Sequence, residues 1–280
     1  MNAKEPRKPA KKLRILVIGA HPDDCEIKAG GVAALWSAKG HTVQLVSATN
    51  GATGHHAIGG VELVRRRTAE ARAAARVLGC KSLILDLPNG EMEPSIAMRR
   101  VFLKLIREFQ PDLILTHRPN DYHPDHRYTS QLVQDASYLL TVPNVCATTP
   151  HLPQMPVIMY CEDGFRKPLP FAPDVVVDID PVIELKGDML YEHESQVFEW
   201  LARGQEVPAT AEARRSWIRA RVKNRSHQTA ERFRAQLCEA YGQERGSRVE
   251  TAEAFEVCEY GAALTPERRA RLFPCQTVPR

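Results

Sequence analysis

Residues 13–24 read Leu13-Arg14-Ile15-Leu16-Val17-Ile18-Gly19-Ala20-His21-Pro22-Asp23-Asp24. Four consecutive aliphatic side chains with no polar alternation are what a strand covered on both faces requires. The abrupt change to His-Pro-Asp-Asp marks where that strand ends. The sequence on either side fits the same scheme. A helix pattern over about residues 29–39 stops at Gly40, and a second strand pattern from Thr42 to Ala48 ends at the turn pair Asn50-Gly51. A Gly-rich loop (Gly54, Gly59, Gly60) leads into an Ala/Arg-rich helix from Val61 to Leu78, stopped by Gly79. Leu83-Ile84-Leu85 is a third strand, Pro94 opens a helix toward Gln110, and Asp112-Leu113-Ile114-Leu115-Thr116 is a fourth strand. Strand and helix alternating at short intervals predict an α/β fold, a Rossmann-like parallel sheet with helices on both faces.

Beyond residue 125 the pattern loosens. One helix is expected near Tyr128 to Leu140, then a Pro-rich connection, then strands at Val157–Tyr160 and Val175–Val177. Asp180-Pro181 is an N-cap and N1 pair for a helix reaching about Trp200. The stretch from Glu212 to Tyr241 is helical in propensity, basic and weakly periodic, which predicts a C-terminal helical elaboration on the surface. The organisation expected is a basic arm over 1–12, one domain over 13–260 with the elaboration at 203–248, and a tail over 261–280.

With 280 residues, 43% of them hydrophobic and 26% charged, the chain has ordinary globular composition, and no apolar run approaches the roughly 20 residues of a membrane span. The formal net charge of +4 is local. Lys4, Arg7, Lys8, Lys11, Lys12 and Arg14 stand against Glu5 alone, which leaves the remaining chain close to neutral. A basic arm with Pro6 and Pro9 reads as a solvated disordered tail. Nucleic acid is not expected as a partner, because a phosphate-reading domain would continue the basic patch into its folded part. Nor is the arm followed by a signal-peptide pattern, since the apolar stretch after it is short and runs into His-Pro-Asp-Asp. Seven cysteines, an odd number with no C-x-x-C pair, argue against a disulfide framework and for a reducing, cytoplasmic location. Of these only Cys25 lies near the suspected chemistry.

That chemistry centres on two loops. His21-Pro22-Asp23-Asp24 follows the first strand, and His117-Arg118-Pro119-Asn120-Asp121-Tyr122-His123-Pro124-Asp125-His126 follows the fourth. In doubly wound sheets ligands bind at the carboxyl ends of the strands, so both loops leave the edge where a site is expected. Two His and a carboxylate converging there, with one position left to water, are the composition of a catalytic zinc site. The competing reading is two polar turns with capping aspartates, Asp125 among them.

These residues resemble the zinc-dependent N-acetylglucosaminyl deacetylases of the PIG-L/LmbE type. The motifs that carry the resemblance are Ala20-His21-Pro22-Asp23-Asp24 with Gly30-Gly31 behind it, Asn50-Gly51, Arg67-x-x-Glu70-x-x-x-Ala74-x-x-x-Leu78-Gly79, and Pro119 through His126. Asp178-Ile179, Lys186, His193, Ser195-Gln196 and Ala252-Glu253-Ala254-Phe255 are similar to later family blocks, so the likeness spans roughly 13–260. The resemblance implies His21, Asp24 and His126 as metal ligands, for Zn2+ or another divalent metal such as Fe2+. It implies Asp23 as general base, and His123 as stabiliser of the oxyanion and a candidate acid, with Asp125 holding its ring. Arg67 and His193 are implied at the substrate. The implied reaction is hydrolysis of an N-acetyl group on a glucosamine-containing small molecule or glycoconjugate, and proteins of this kind are often homo-oligomers. Two departures from the family pattern, Lys28 and Cys25-Glu26, touch no implied ligand but bear on pocket shape. The flanking Arg65, Arg66, Arg72 and Arg76 read as a solvated helix face, and His55 and His56 as surface loop. Two other functions use the same residues. A non-haem Fe(II) oxygenase also spells His-x-Asp with a distant His, though usually on an antiparallel jelly roll. A catalytically silent carbohydrate-binding protein of the same fold is the other.

Overall fold

The computed structural model describes residues 12–273, so the expected basic arm lies, apart from Lys12, outside the described residues. Seven strands form one sheet: β1 (Arg14–Gly19), β2 (Thr42–Thr49), β3 (Lys81–Leu87), β4 (Leu113–Thr116), β5 (Val157–Cys161), β6 (Val175–Asp178) and β7 (Ala252–Val257), in the order β3-β2-β1-β4-β5-β7-β6. The first five pair in parallel, as the unalternated aliphatic runs predict. β7 runs antiparallel between β5 and β6, so the sheet is mixed. This is not the jelly roll on which the oxygenase reading leans.

Helices are α1 (Asp24–Ala38), α2 (Gly60–Val77), α3 (Ile96–Phe109), α4 (Pro124–Ser137), α5 (Ile183–Tyr191), α6 (Ala211–Arg232), α7 (Arg234–Tyr241), α8 (Gln243–Gly246) and α9 (Pro266–Leu272). The pleat sorts strand side chains into two cores. Ile15, Val17, Leu113 and Leu115 face α1 and α2, while Leu16, Ile18 and Ile114 face α3 and α4. Among the described residues, no helix is long and apolar enough to cross a membrane.

The structure corrects the sequence reading at four places. First, α1 breaks at Ala29 (φ −141°, ψ 15°). The amides of Gly31 and Val32 then behave like those at the start of a new helix and donate to Glu253 Oε1 and Oε2, each at 2.8 Å. Lys186 Nζ neutralises the same carboxylate at 2.7 Å, and a Cβ on Gly31 would stand 2.8 Å from Ile179. Second, the helix expected from Asp180 to Trp200 is divided. His193 turns fully into the interior, and Ser195 spends its N–H and Oγ on Glu70, at 2.9 and 2.6 Å, which ends α5 and starts a separate π turn over Ser195–Trp200.

Third, the 203–248 elaboration is not merely a surface feature. Ile218 and Val222 meet Leu190, Val197 and Phe198, and Ala230, Phe233, Leu237 and Tyr241 cover β6 and β7. The weak periodicity follows from one helix serving two seams. Fourth, the folded domain runs past residue 260. Leu272 and Phe273 are buried, and Trp36 Nε1 donates to the Leu272 carbonyl at 2.9 Å.

Arg107, on α3, is 1% exposed and ties down the segment after α4. Its guanidinium donates to the carbonyls of Leu139, Leu140, Val142, Val145, Cys146 and Thr149 over 2.6–3.3 Å.

Candidate active site

β1 and β4 are neighbours, but their helices leave on opposite faces, α1 toward β2 and α4 toward β5. Such a switch point opens a crevice at the carboxyl ends of the strands, and both His/Asp loops enter it. His21 Nδ1 lies 3.1 Å from His126 Nε2 and 3.4 Å from Asp24 Oδ2, and His126 Nε2 lies 3.4 Å from the same oxygen. The three residues the resemblance implies as ligands therefore meet.

The far nitrogen of each ring faces a carboxylate, His21 Nε2 with Asp125 Oδ2 at 3.1 Å and His126 Nδ1 with Asp121 Oδ1 at 3.0 Å. With those protons directed outward, two imidazole lone pairs point at one another beside a carboxylate, an arrangement that needs a cation between them. Carboxylate-backed histidines are the usual support of metal ligands, and a divalent metal fits this donor set. Without one the site draws a proton instead. Burial opposes charge on His21, but the hydrogen bonds to Asp125 and Asp24 prevail and raise its pKa to about 9.

Two residues the sequence reading left without a role complete the cluster. His117 is fully enclosed, its Nε2 accepts from the Ala20 amide at 3.0 Å, and its ring stacks on His126 with 4.1 Å between centroids and 8° between planes. Burial pushes its pKa down to about 4. Its Nε2 is also 3.2 Å from Asp24 Oδ2, so Asp24, His117 and His126 form one possible metal-holding group and His21, His123 and His126 another. The second residue is Asp121, described above. Neither role carries a sequence signal beyond membership of the His/Asp-rich loop, because supporting contacts depend on ring orientation.

Asp23 is buried beside the ligands, and its Oδ1 accepts from Arg67 Nη2 at 3.3 Å. Burial raises its pKa, and the Arg67 charge works against that rise. Space for this arginine is made by glycine. A Cβ on Gly51 would stand 2.7 Å from Arg67 Nη1, and one on Gly54 2.5 Å from it. Gly51 also takes φ +73°, which favours glycine. Arg67 is thus placed behind Asp23 rather than on an open wall, and Glu70, one turn on, anchors the Ser195 turn.

His193 is likewise fully buried, 3.4 Å from Glu26 Oε1, so it forms no part of an exposed lining in this conformation. His123 caps α4, with Nδ1 accepting from the Asp125 amide at 3.1 Å. The backbone of Asp125 orients His123, while its carboxylate serves His21 and accepts from the Gly90 amide at 2.7 Å. This differs from the expectation that the Asp125 side chain holds His123, because capping already commits the inner nitrogen.

Cys25 is away from the chemistry. Its Sγ faces the carbonyls of Val17 and Val46, and burial pushes its thiol pKa well up. Arg66 is not simply solvated, since it forms a two-pronged pair with Glu199, which also meets His55 Nε2 at 3.0 Å. Arg65, Arg72 and Arg76 are exposed as expected, and so is His56.

If the outer carboxylates orient the rings, Asp121→Asn or Asp125→Asn should weaken metal binding by about 10–100-fold with little loss of fold. Competition with a chromogenic chelator measures this, and unchanged affinity in both variants would remove that role.

A family model described as GlcNAc-PI de-N-acetylase, PIG-L, matches residues 16–137. The chain is 30% identical over 195 residues to a diacetylchitobiose deacetylase of Thermococcus kodakarensis, covering 65% of this chain and 70% of that protein. It is 27% identical over 191 residues to a 4-oxalmesaconate hydratase of Pseudomonas putida, covering 61% and 69%. Among solved structures, the N,N'-diacetylchitobiose deacetylase of Pyrococcus horikoshii aligns with a TM-score of 0.68 at 24% identity over 88% of this chain and 84% of that one, which speaks for a shared fold. The crevice motifs fall in the matched stretch from strand β1 to the end of α4, and on that match and the archaeal relative the chain belongs to the PIG-L family.

Proposed function

We propose that the protein is a zinc-dependent N-deacetylase that hydrolyses the acetamido group of a glucosamine-containing small molecule or glycoconjugate in the cytoplasm. The observation that carries the reading is the meeting of His21 Nδ1, His126 Nε2 and Asp24 Oδ2 within 3.4 Å, with the Asp23 carboxylate beside them. Relatives named as deacetylases of diacetylchitobiose and of N-acetyl-α-D-glucosaminyl L-malate support the substrate class.

Zinc held by His21, Asp24 and His126 would supply a Lewis acid for the acetyl carbonyl and bring a bound water's pKa to about 7. Asp23 takes the proton of the attacking water, and Arg67 at 3.3 Å holds that carboxylate in place. Because His123 Nδ1 accepts from a backbone amide, the neutral ring carries its proton on Nε2, free to donate to the carbonyl oxygen as it gains charge. The leaving amine takes its proton from Asp23, which received it from the water, because the neutral His123 ring holds no acidic proton to give.

The test is metal analysis of the purified protein with acetate release measured on a panel of acetamido sugars. One zinc per chain, turnover of at least one sugar, loss on chelation and recovery with zinc are expected. Protein carrying stoichiometric zinc that releases no acetate from any member would overturn the reading. The hydratase relative supplies the competing outcome, water addition to an unsaturated acid with no acetate formed.

A further inference from the structure

The α6 insertion does more than cover the sheet, because it walls two connected spaces beside the metal ligands. The first, about 530 Å³, is lined by Asp24, His126 and Tyr122 and also by Phe165, Leu201 and Arg225. The second, about 320 Å³, shares Ile27, Leu201 and Arg225 with the first and continues between Leu190, Val197, Ile218 and Val222. Aliphatic side chains make up its body, with Lys186, Arg221, Asn224 and Arg225 completing the lining. Its size suits an apolar group of about ten heavy atoms and not a pair of lipid chains.

The charges around the two spaces narrow the occupant further. Lys28 Nζ donates to the Glu162 carbonyl at 2.9 Å, Lys186 to Glu253 at 2.7 Å, and Arg232 to Glu162 at 3.1 Å. Arg221 donates to Gln205 at 2.7 Å and covers the Trp217 ring at 4.5 Å. The carboxylates are committed too, Glu162 to Thr229 and Arg232, Asp163 to Arg118, and Asp121 to His126. Arg225, where the spaces join, makes no hydrogen bond or ion pair with any described residue.

We propose that the α6 insertion forms an aglycone subsite for a compact apolar group bearing one anionic oxygen group, carboxylate or phosphate, with the apolar body between Ile218, Val222 and Leu190 and the anion on Arg225. The proposal rests on the deacetylase reading for the sugar, but the subsite can be tested without turnover.

Octanoate, octyl phosphate and octanol are titrated calorimetrically into the zinc-loaded full chain, its Arg225→Gln variant and its Val222→Trp variant, with melting curves to check folding. Both anions should bind about tenfold or more tighter than octanol. Arg225→Gln should erase that difference, Val222→Trp should abolish binding of all three, and the tighter anion identifies the group recognised. In parallel, the kcat/KM ratio of 7-carboxyheptyl to octyl N-acetylglucosaminide should exceed one and fall toward one in Arg225→Gln. Equal binding of anions and octanol, a difference that survives in Arg225→Gln, or binding intact in a folded Val222→Trp would overturn the subsite. If no acetamido sugar, these glycosides included, releases acetate while the titrations behave as stated, the deacetylase reading fails and the subsite stands.

Discussion

Asp23→Asn should lower acetate release by about 10²–10⁴-fold while one metal ion per chain remains bound. The reason lies in the division of labour between adjacent carboxylates. Asp24 Oδ2 is fixed by the amides of Ala20 and His21 at 3.0 and 2.7 Å and lies 3.2–3.4 Å from the ring nitrogens of His21, His117 and His126, so it is spent on the histidine cluster. Among the described residues Asp23 makes no side-chain hydrogen bond to these rings and accepts from Arg67 instead. An amide at position 23 keeps the shape and the Arg67 contact but cannot take a proton. Steady-state kinetics with metal analysis on one preparation tests the separation, and a variant with full activity would strike Asp23 from the mechanism. Asp24→Asn makes the counterpart, since it should lose metal and activity together.

Arg107→Leu should cost about 4 kcal/mol of stability or more, equivalent to a melting temperature lower by roughly 10 °C. Six backbone carbonyls between Leu139 and Thr149 accept from this guanidinium, and two of them, those of Val145 and Thr149, have no other donor among the described residues. Each buried carbonyl left without a donor costs about 1–3 kcal/mol, and total stability is only about 5–15 kcal/mol, so even partial rearrangement leaves a large loss. Arg107→Lys should recover part of it, having three donors on one atom instead of a planar fork. Thermal unfolding of the three proteins decides the matter, and equal melting temperatures would show that the segment is held elsewhere. The effect reaches the site indirectly, because this segment anchors the end of α4, the helix that starts with His126 in its first turn.

Strands β1 to β6 were legible because their residues are aliphatic or β-branched and bounded by turn pairs such as Asn50-Gly51. β7 was not. Its Ala252-Glu253-Ala254-Phe255-Glu256-Val257 run carries two glutamates, one caught by the break in α1 and the other by Arg118 at 2.9 Å, and nothing local announces partners so distant in sequence. The same limit applies at the site. His21, Asp23, Asp24 and His126 stand out because histidines and carboxylates crowd two loops at equivalent positions on the sheet. His117 and Asp121 occupy those loops as well, yet their contacts depend on the tilt of the His126 ring. Arg67 was visible as a motif residue, but its place behind Asp23 depends on two glycines clearing room for it. The helix expected to run unbroken to Trp200 failed for a related reason, since the break at His193 is made by burial and by Glu70, without a glycine or proline to mark it.

The position of β7 also bears on the order in which the molecule can be assembled. β6 ends at Asp178 and β7 begins at Ala252, and the later strand is inserted between β5 and the earlier one. During synthesis β6 therefore waits without a hydrogen-bonding neighbour until residues 252–257 have left the ribosome. Until then the Gly31 and Val32 amides lack their acceptor and Lys186 lacks its counter-charge. Joining segments more than 200 residues apart is a slow kind of closure, and it makes completion of the sheet a late event. A nascent chain halted before residue 252 would carry every metal-ligand candidate and still lack the carboxylate that clasps α1 just beyond its break at Ala29.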